Sequence, residues 1–210
     1  MIIYLIRHGE TQWNRSLKVQ GKLDIPLNEN GIMQAKIVAS LFKNIKIDAI
    51  YSSNLSRAYV TAKIIASELK LNVNINSFLQ EINMGRWEGS LWDDIKIEYK
   101  DFINRWQQDI ENIPIPDGES YLEVQKRVYK AFCDIISKYN NDSKIIIVSH
   151  GIALKVLITK LIGISIQTVH KFSLDNASIS SIIYENNFKI NFLNNTFHLK
   201  GLGDIDTKKF

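Results

Sequence analysis

The sequence predicts an α/β protein with a mostly parallel central sheet covered by helices on both faces. Three short apolar runs, at 2–6, 48–51 and 145–148, alternate along the chain with helical patterns. Continuous apolar runs of this length are typical of strands that are buried on both faces. Because strands that alternate with helices usually form a parallel sheet, we expect this arrangement here.

Helices are predicted where apolar residues recur three and four positions apart. The first follows Asn28, whose side chain can cap it, and its apolar positions are Ile32, Ala35, Ala39 and Phe42. A second stripe consists of Leu55, Ala58, Ala62, Ile65 and Leu69. Further helices are expected over 91–106, 119–138 and 152–161, and the one at 119–138 offers Leu122, Val128, Phe132 and Ile135 to the core.

The remaining patterns indicate an edge strand at 72–75 and a terminal hairpin made of 179–184 and 189–193. No internal repeat or low-complexity linker interrupts the chain. We therefore expect one domain over 1–210, with a helical lid-like insertion at about 82–118. Trp87, Trp92, Tyr99, Phe102 and Trp106 lie in that insertion, where core packing is the expected role for most of them.

Composition favours an ordinary globular protein, with 45% hydrophobic and 23% charged residues in 210. The net charge is +4, but the basic residues are interspersed with acidic ones, apart from Lys208-Lys209. We therefore expect neither nucleic-acid nor membrane partners. Cys133 is the only cysteine, which excludes an intramolecular disulfide and a cysteine-based zinc site. The N-terminal apolar run is too short for a signal sequence, and a cytoplasmic location is expected.

Polar residues follow the three predicted strands. Arg7 and His8 end the first, Ser52 and Ser53 follow the second with Arg57 shortly after, and His150 follows the third. In open α/β sheets the ligand site lies beyond the carboxyl ends of the strands. A single histidine there is more often structural, and a single arginine more often forms a surface ion pair, but their convergence favours a functional site.

The residue types in this group suit phosphoryl transfer, which needs a nucleophile, cations around the phosphoryl oxygens and a proton for the leaving oxygen. Arg7 and Arg57 carry planar guanidinium forks that match phosphate. A neutral His8 can attack phosphorus directly, and His150, if protonated, adds a third positive group. Glu81 is a candidate general acid, although sequence chemistry alone does not distinguish it from other carboxylates.

Several segments resemble the motifs of the histidine phosphatase superfamily, which includes the phosphoglycerate mutases. They are Arg7-His8-Gly9-Glu10-Thr11 with Asn14, Gln20-Gly21, Tyr51-Ser52-Ser53 with Arg57, Glu81 to Gly89, Gly118-Glu119-Ser120 and Ser149-His150-Gly151. The resemblance covers nearly the whole chain in the expected order. It implies a three-layer α/β/α fold, a phosphohistidine on His8, Glu81 as proton donor, and no metal or cofactor. The phosphate-binding residues that it implies are Arg7, Asn14, Gln20, Gly21, Arg57, His150 and Gly151.

Phosphatase and mutase both begin with phosphohistidine, and they differ in whether water or a substrate hydroxyl receives the phosphoryl group. Glu81-Ile82-Asn83-Met84-Gly85 departs from the Glu-Arg-His-Tyr-Gly type block of the mutases, and the middle segment is shorter. The resemblance therefore predicts a phosphatase that acts on a small phosphorylated metabolite. Mutase activity and a non-catalytic phosphate-binding module remain the alternatives, and the sequence leaves the substrate and the oligomeric state open.

Overall fold

A six-stranded mixed sheet forms the centre of the computed structural model, which describes residues 1–200. The strands are β1 (Ile2–Arg7), β2 (Ala49–Ser52), β3 (Val73–Ile75), β4 (Lys144–Ser149), β5 (Ile179–Tyr184) and β6 (Phe188–Asn195). Their order across the sheet is β3-β2-β4-β1-β5-β6. Strands β1 to β4 are parallel, which confirms the predicted fold class.

The last two strands run against the others. Strand β5 pairs antiparallel with β1, and β6 pairs antiparallel with β5, so the predicted terminal hairpin is confirmed. The predicted edge strand is confirmed as well, since β3 lies at the opposite edge of the sheet. In the centre, Arg7 is paired with Ser149 and Ser52 with Val148, so β1, β2 and β4 end at the same edge.

Helices cover both faces of the sheet. In residues 1–200 the α-helices are α1 (Gln12–Arg15), α2 (Glu29–Phe42), α3 (Ser56–Leu69), α4 (Trp92–Glu98), α5 (Lys100–Gln108), α6 (Tyr121–Ile136) and α7 (Gly151–Leu161). Helices α2 and α3 pack against each other on one face, and α6 and α7 on the other. Alternate residues of β1 divide between these layers: Ile3 and Leu5 face α6 and α7, and Ile6 faces α2 and α3. This is the expected three-layer α/β/α arrangement.

The predicted Asn28 cap is confirmed, and α6 begins two residues later than predicted. The Asn28 side chain accepts the Gly31 N–H at 2.8 Å and begins α2 as expected. Helix α6 begins after Ser120, which exchanges capping hydrogen bonds with Glu123. The helix expected over 91–106 is instead two helices, because the backbone of Tyr99 leaves the helical conformation between α4 and α5.

Of the predicted core positions, Ile32 is wrong, and Leu122 packs against the core only in part. Ile32 is 37% exposed, because Gly31 takes the adjacent position against the backbone of Glu10, where a Cβ would collide with the Glu10 carbonyl oxygen. Helix α2 is thereby rotated so that Gln34 and Val38 are buried. Leu122 is only partly buried, since the face of α6 next to the core begins at Tyr121 and Val124.

The segment at 82–118 packs around one tryptophan. Trp87 is fully buried, and the rings of Trp92, Tyr99, Phe102 and Trp106 surround it at centroid distances of 5.4–6.1 Å with edge-to-face geometry. These rings continue the apolar cluster beneath α6 and α7. The lid aromatics are therefore core residues.

No helix within residues 1–200 combines the length and apolar composition needed to cross a bilayer. The predicted basic pair Lys208-Lys209 lies outside the described residues.

Candidate active site

Two histidines lie side by side at the carboxyl edge of the sheet. His8 follows β1 and His150 follows β4, and their ring centroids are 5.2 Å apart. Arg7 is the last residue of β1, and Arg57 is the second residue of α3, which follows β2. Three segments that are distant in sequence thus meet at the carboxyl ends of the strands, as the sequence predicts.

His8 has a defined tautomer. Its Nδ1 lies 2.7 Å from the Gly9 carbonyl oxygen, which can only accept, so Nδ1 carries the hydrogen. The lone pair of Nε2 then has no protein partner among residues 1–200. Burial, followed by the charges of Arg57 and Arg7, holds the pKa of His8 well below 6.5 against the opposing hydrogen bond to Gly9. His8 is therefore neutral near pH 7, the form in which Nε2 can attack phosphorus.

Ser53 orients the second histidine. The Ser53 hydroxyl accepts the Leu55 N–H at 3.2 Å, so its own hydrogen is available for His150 Nε2 at 2.9 Å. Burial, and then the charges of Arg57, His8, Arg7 and Arg127, hold the pKa of His150 well below 6.5. His150 is therefore neutral in the free protein, and not the third cation that a protonated ring would supply. When Ser53 donates to Nε2, Nδ1 of His150 carries the hydrogen.

Backbone carbonyls hold the two guanidinium groups. Arg57 donates to the Gly21 and Leu23 carbonyl oxygens, each at 2.7 Å, and Arg7 donates to the Leu174 carbonyl oxygen at 2.6 Å. Burial is the main cause that lowers the pKa of Arg57 to about 10 and also lowers that of Arg7. Both groups stay charged at neutral pH.

Three buried nitrogens in this group have no hydrogen-bond partner among residues 1–200: Arg7 Nε, Arg57 Nε and His150 Nδ1. A buried donor without a partner costs about 1–3 kcal/mol, and more when it is charged. Native proteins rarely leave such groups together without a ligand that satisfies them. A tetrahedral oxyanion beside Nε2 of His8 is a ligand whose oxygens could accept hydrogen bonds from such nitrogens.

Glu81 lies at the N-terminus of α7, next to this site. Its Oε1 accepts the N–H groups of Ile82 and Ala153, both at 3.0 Å, and its Oε2 accepts that of Ile152 at 3.2 Å. A Cβ on Gly151 would lie 3.7 Å from Oε2 and 3.6 Å from Arg7 Nε. The carboxyl group is thus fixed beside Arg7, with Oε2 making fewer hydrogen bonds than Oε1.

The other predicted phosphate-binding residues border the same group. Asn14 Oδ1 accepts from Thr11 N at 3.1 Å and from Asn176 Nδ2 at 3.2 Å, which leaves the Asn14 amide nitrogen for a ligand. Gly21 contributes its carbonyl to Arg57, and its φ of +52° suits glycine. Gln20 is buried with Oε1 unpartnered, and a half-turn of its amide would present a donor instead.

The sequence did not predict the residue that holds the backbone of Glu81. Arg127 on α6 donates to the Gln80 and Glu81 carbonyl oxygens at 2.8 Å and forms a two-pronged ion pair with Glu119 at 2.9 and 3.0 Å. Burial alone would raise the pKa of Glu119, but Arg127 and the Asn83 N–H outweigh it and lower that pKa. The only sequence signal was the Gly118-Glu119-Ser120 motif.

The depressed histidine pKa values predict acid sensitivity. An unfolded histidine titrates near 6.5. Below that pH the unfolded chain binds protons at His8 and His150 that the folded protein does not bind, because both pKa values are lower in the folded state. Stability contributed by these rings is complete above pH 6.5 and falls as the pH drops toward the folded values, by roughly 1 kcal/mol per ring at one pH unit lower. Thermal unfolding from pH 7.5 to 5.5 should therefore show a steeper loss of Tm for wild type than for His8→Gln. Parallel curves would contradict the assignment.

An imidazole nucleophile candidate, two guanidinium groups and a nearby carboxyl group are the residue types that phosphoryl transfer uses. The model of the histidine phosphatase superfamily (branch 1) matches residues 3–196. The chain belongs to this superfamily, as its motifs indicate.

Individual relatives include both a mutase by name and phosphatases. The probable phosphoglycerate mutase GpmB of Yersinia pestis (strain Pestoides F) is 38% identical over 183 residues, which cover 87% of this chain and 85% of that protein. Phosphoserine phosphatase from Entamoeba histolytica, solved with 3-phosphoglyceric acid, has a TM-score of 0.84 and 34% identity, covering 94% of this chain and 98% of that one. Alpha-ribazole phosphatase from Shigella flexneri has a TM-score of 0.82 and 32% identity, covering 93% and 96%.

Proposed function

We propose that this protein is a metal-independent phosphatase that hydrolyses small phosphomonoesters through a phosphohistidine on His8. The observation that carries the proposal is the set of three unpartnered buried donors, on Arg7, Arg57 and His150, around the free Nε2 of His8. Cations and N–H groups in this arrangement match the equatorial oxygens of a phosphoryl group.

In the first step, Nε2 of His8 forms a bond to phosphorus while the bond from phosphorus to the leaving oxygen breaks. Glu81 gives its proton to that oxygen, and Oε2 is the atom that carries it because Oε1 already accepts two N–H groups. The Nδ1–H bond to Gly9 supports the positive charge that forms on the ring.

In the second step, water attacks phosphorus and the bond to Nε2 breaks. The ionised Glu81 accepts the proton that water releases, so the carboxyl group returns to its starting form. Inorganic phosphate leaves, and the neutral His8 is regenerated.

Mutase activity is the second candidate, supported by the name of the Yersinia relative. A mutase needs room for a second hydroxyl to reach the phosphohistidine. The block at the proton donor reads Glu81-Ile82-Asn83-Met84-Gly85 and departs from the Glu-Arg-His-Tyr-Gly type block of the mutases, which favours the phosphatase.

The deciding experiment measures two products with the same wild-type preparation in EDTA. Release of inorganic phosphate from p-nitrophenyl phosphate and glycerol 3-phosphate is expected to be faster than conversion of 2- to 3-phosphoglycerate in the presence of 2,3-bisphosphoglycerate. Faster isomerisation would establish the mutase, and strict dependence on added metal would reject both. No turnover and no phosphoenzyme in any assay would support a non-catalytic phosphate-binding module.

A further inference from the structure

We propose that Lys155 is a specificity-determining residue that binds a carboxylate on the leaving-group part of the substrate. This inference rests on the phosphatase function proposed above. No motif of the sequence includes Lys155, and the two reaction steps do not use it.

Lys155 lies on the face of α7 that begins beside the reacting groups. It lies four residues after Gly151, so the two share one face of the helix. Helical side chains lean toward the N-terminus of their helix, and Gly151 leaves space there because it has no side chain. The face of Gly151 is the one beside Arg7 Nε and Glu81 Oε2.

Within residues 1–200, Lys155 forms no ion pair within 4.0 Å. Its Nζ lies 5.8 Å from the centroid of the Phe172 ring. Asp175 is close enough for its charge to act on Lys155, but its Oδ2 accepts the Asn194 amide at 2.9 Å. A partly buried ammonium group in this situation is stabilised when an anion reaches it.

Neighbouring charges act on the pKa of Lys155 in both directions. Arg7 from β1 opposes the charge on Lys155, Glu81 and Asp175 favour it, and His170 from the turn at Ile166–Lys171 is near enough to respond to it. Burial is the main cause that lowers the pKa of Lys155 to about 8, with the charge of Arg7 next. Lys155 is thus mostly protonated at pH 7 and loses its charge as the pH rises through 8.

The side of the pocket identifies the bound group. Glu81 has to contact the leaving oxygen, and the Gly151 face of α7 that Lys155 shares lies beside Glu81 Oε2. The charges of Glu81 and Arg7, and not those of Arg57 or His150, act on Lys155, which places Lys155 with the leaving alcohol. A single ammonium with Asp175 nearby suits a singly charged carboxylate better than a phosphate dianion, because Asp175 repels the dianion more strongly.

The test compares 3-phosphoglycerate with glycerol 3-phosphate, which has a hydroxymethyl group in place of the carboxylate. We expect wild type to prefer 3-phosphoglycerate by about tenfold or more in kcat/KM. Lys155→Met should remove that preference, mainly through KM, and change glycerol 3-phosphate turnover less than about threefold. Lys155→Arg should retain the preference.

The matched control is Lys160→Met on the same helix. Lys160 Nζ lies 5.6 Å from the Tyr129 ring centroid and so resembles Lys155 in its aromatic contact, but it is at the other end of α7. This variant should behave as wild type. The wild-type preference should also decline above pH 8, where Lys155 is neutral, and should persist there in Lys155→Arg.

Each result separates the inference from the function on which it rests. Equal wild-type turnover of the two substrates, or equal losses for both in Lys155→Met, would overturn the role of Lys155 and leave the phosphatase intact. Failure of wild type to hydrolyse either substrate or p-nitrophenyl phosphate would overturn the proposed function itself.

Discussion

Replacing His8 with alanine is expected to lower kcat/KM for every phosphomonoester by at least about 10⁴-fold. The reason is that Nε2 of His8 is the atom proposed to bond to phosphorus, and its tautomer is already set by Gly9. The remaining donors on Arg7, Arg57 and His150 can bind the phosphoryl group but cannot replace the nucleophile. The measurement is steady-state phosphate release, together with denaturing capture of an acid-labile phosphoenzyme.

The variant should still fold, because alanine removes a buried ring that resists protonation and leaves the backbone bonds of residue 8 in place. Its Tm at pH 5.5 serves as the control. Added imidazole can enter the space left by the side chain, and partial recovery of activity would identify the lost group as the nucleophile. Retained phosphoenzyme in His8→Ala would show that another residue accepts the phosphoryl group.

Glu81→Gln is expected to lower kcat for glycerol 3-phosphate by roughly 10²- to 10⁴-fold, because an alkoxide is a poor leaving group without a proton donor. Hydrolysis of p-nitrophenyl phosphate should fall less than about tenfold, since p-nitrophenolate departs as a stable anion. The ratio of the two losses is therefore the measurement. Glutamine retains an oxygen for the N–H groups of Ile82 and Ala153 that Oε1 now accepts.

Glu68→Gln provides a matched control, because Glu68 is an exposed residue of α3 whose carboxylate lies 3.9 Å from Lys43. It should leave both substrates unchanged. If Glu81→Gln slows the two substrates equally, Glu81 acts by holding the N-terminus of α7 and not by giving a proton.

Prediction succeeded where the required information is local. Arg7, His8 and His150 follow apolar runs, and parallel strands bring such residues to one edge whatever else the chain does. It failed where a neighbour from elsewhere decides orientation. Ile32 is exposed because Gly31 packs against Glu10. Separately, the helix expected over 91–106 is interrupted at Tyr99.

The sequence by itself determined the fold class, the family motifs and the set of residues at the carboxyl edge of the sheet. Only the tertiary structure decided the hydrogen on Nδ1 of His8, the neutrality of His150, the three buried nitrogens without partners in residues 1–200 and the charges that act on Lys155. The physical reason is that strand and helix periodicity is encoded within a few residues. Protonation and hydrogen bonding depend instead on burial and on charges supplied by β1, α3 and α7, which meet only in the folded chain.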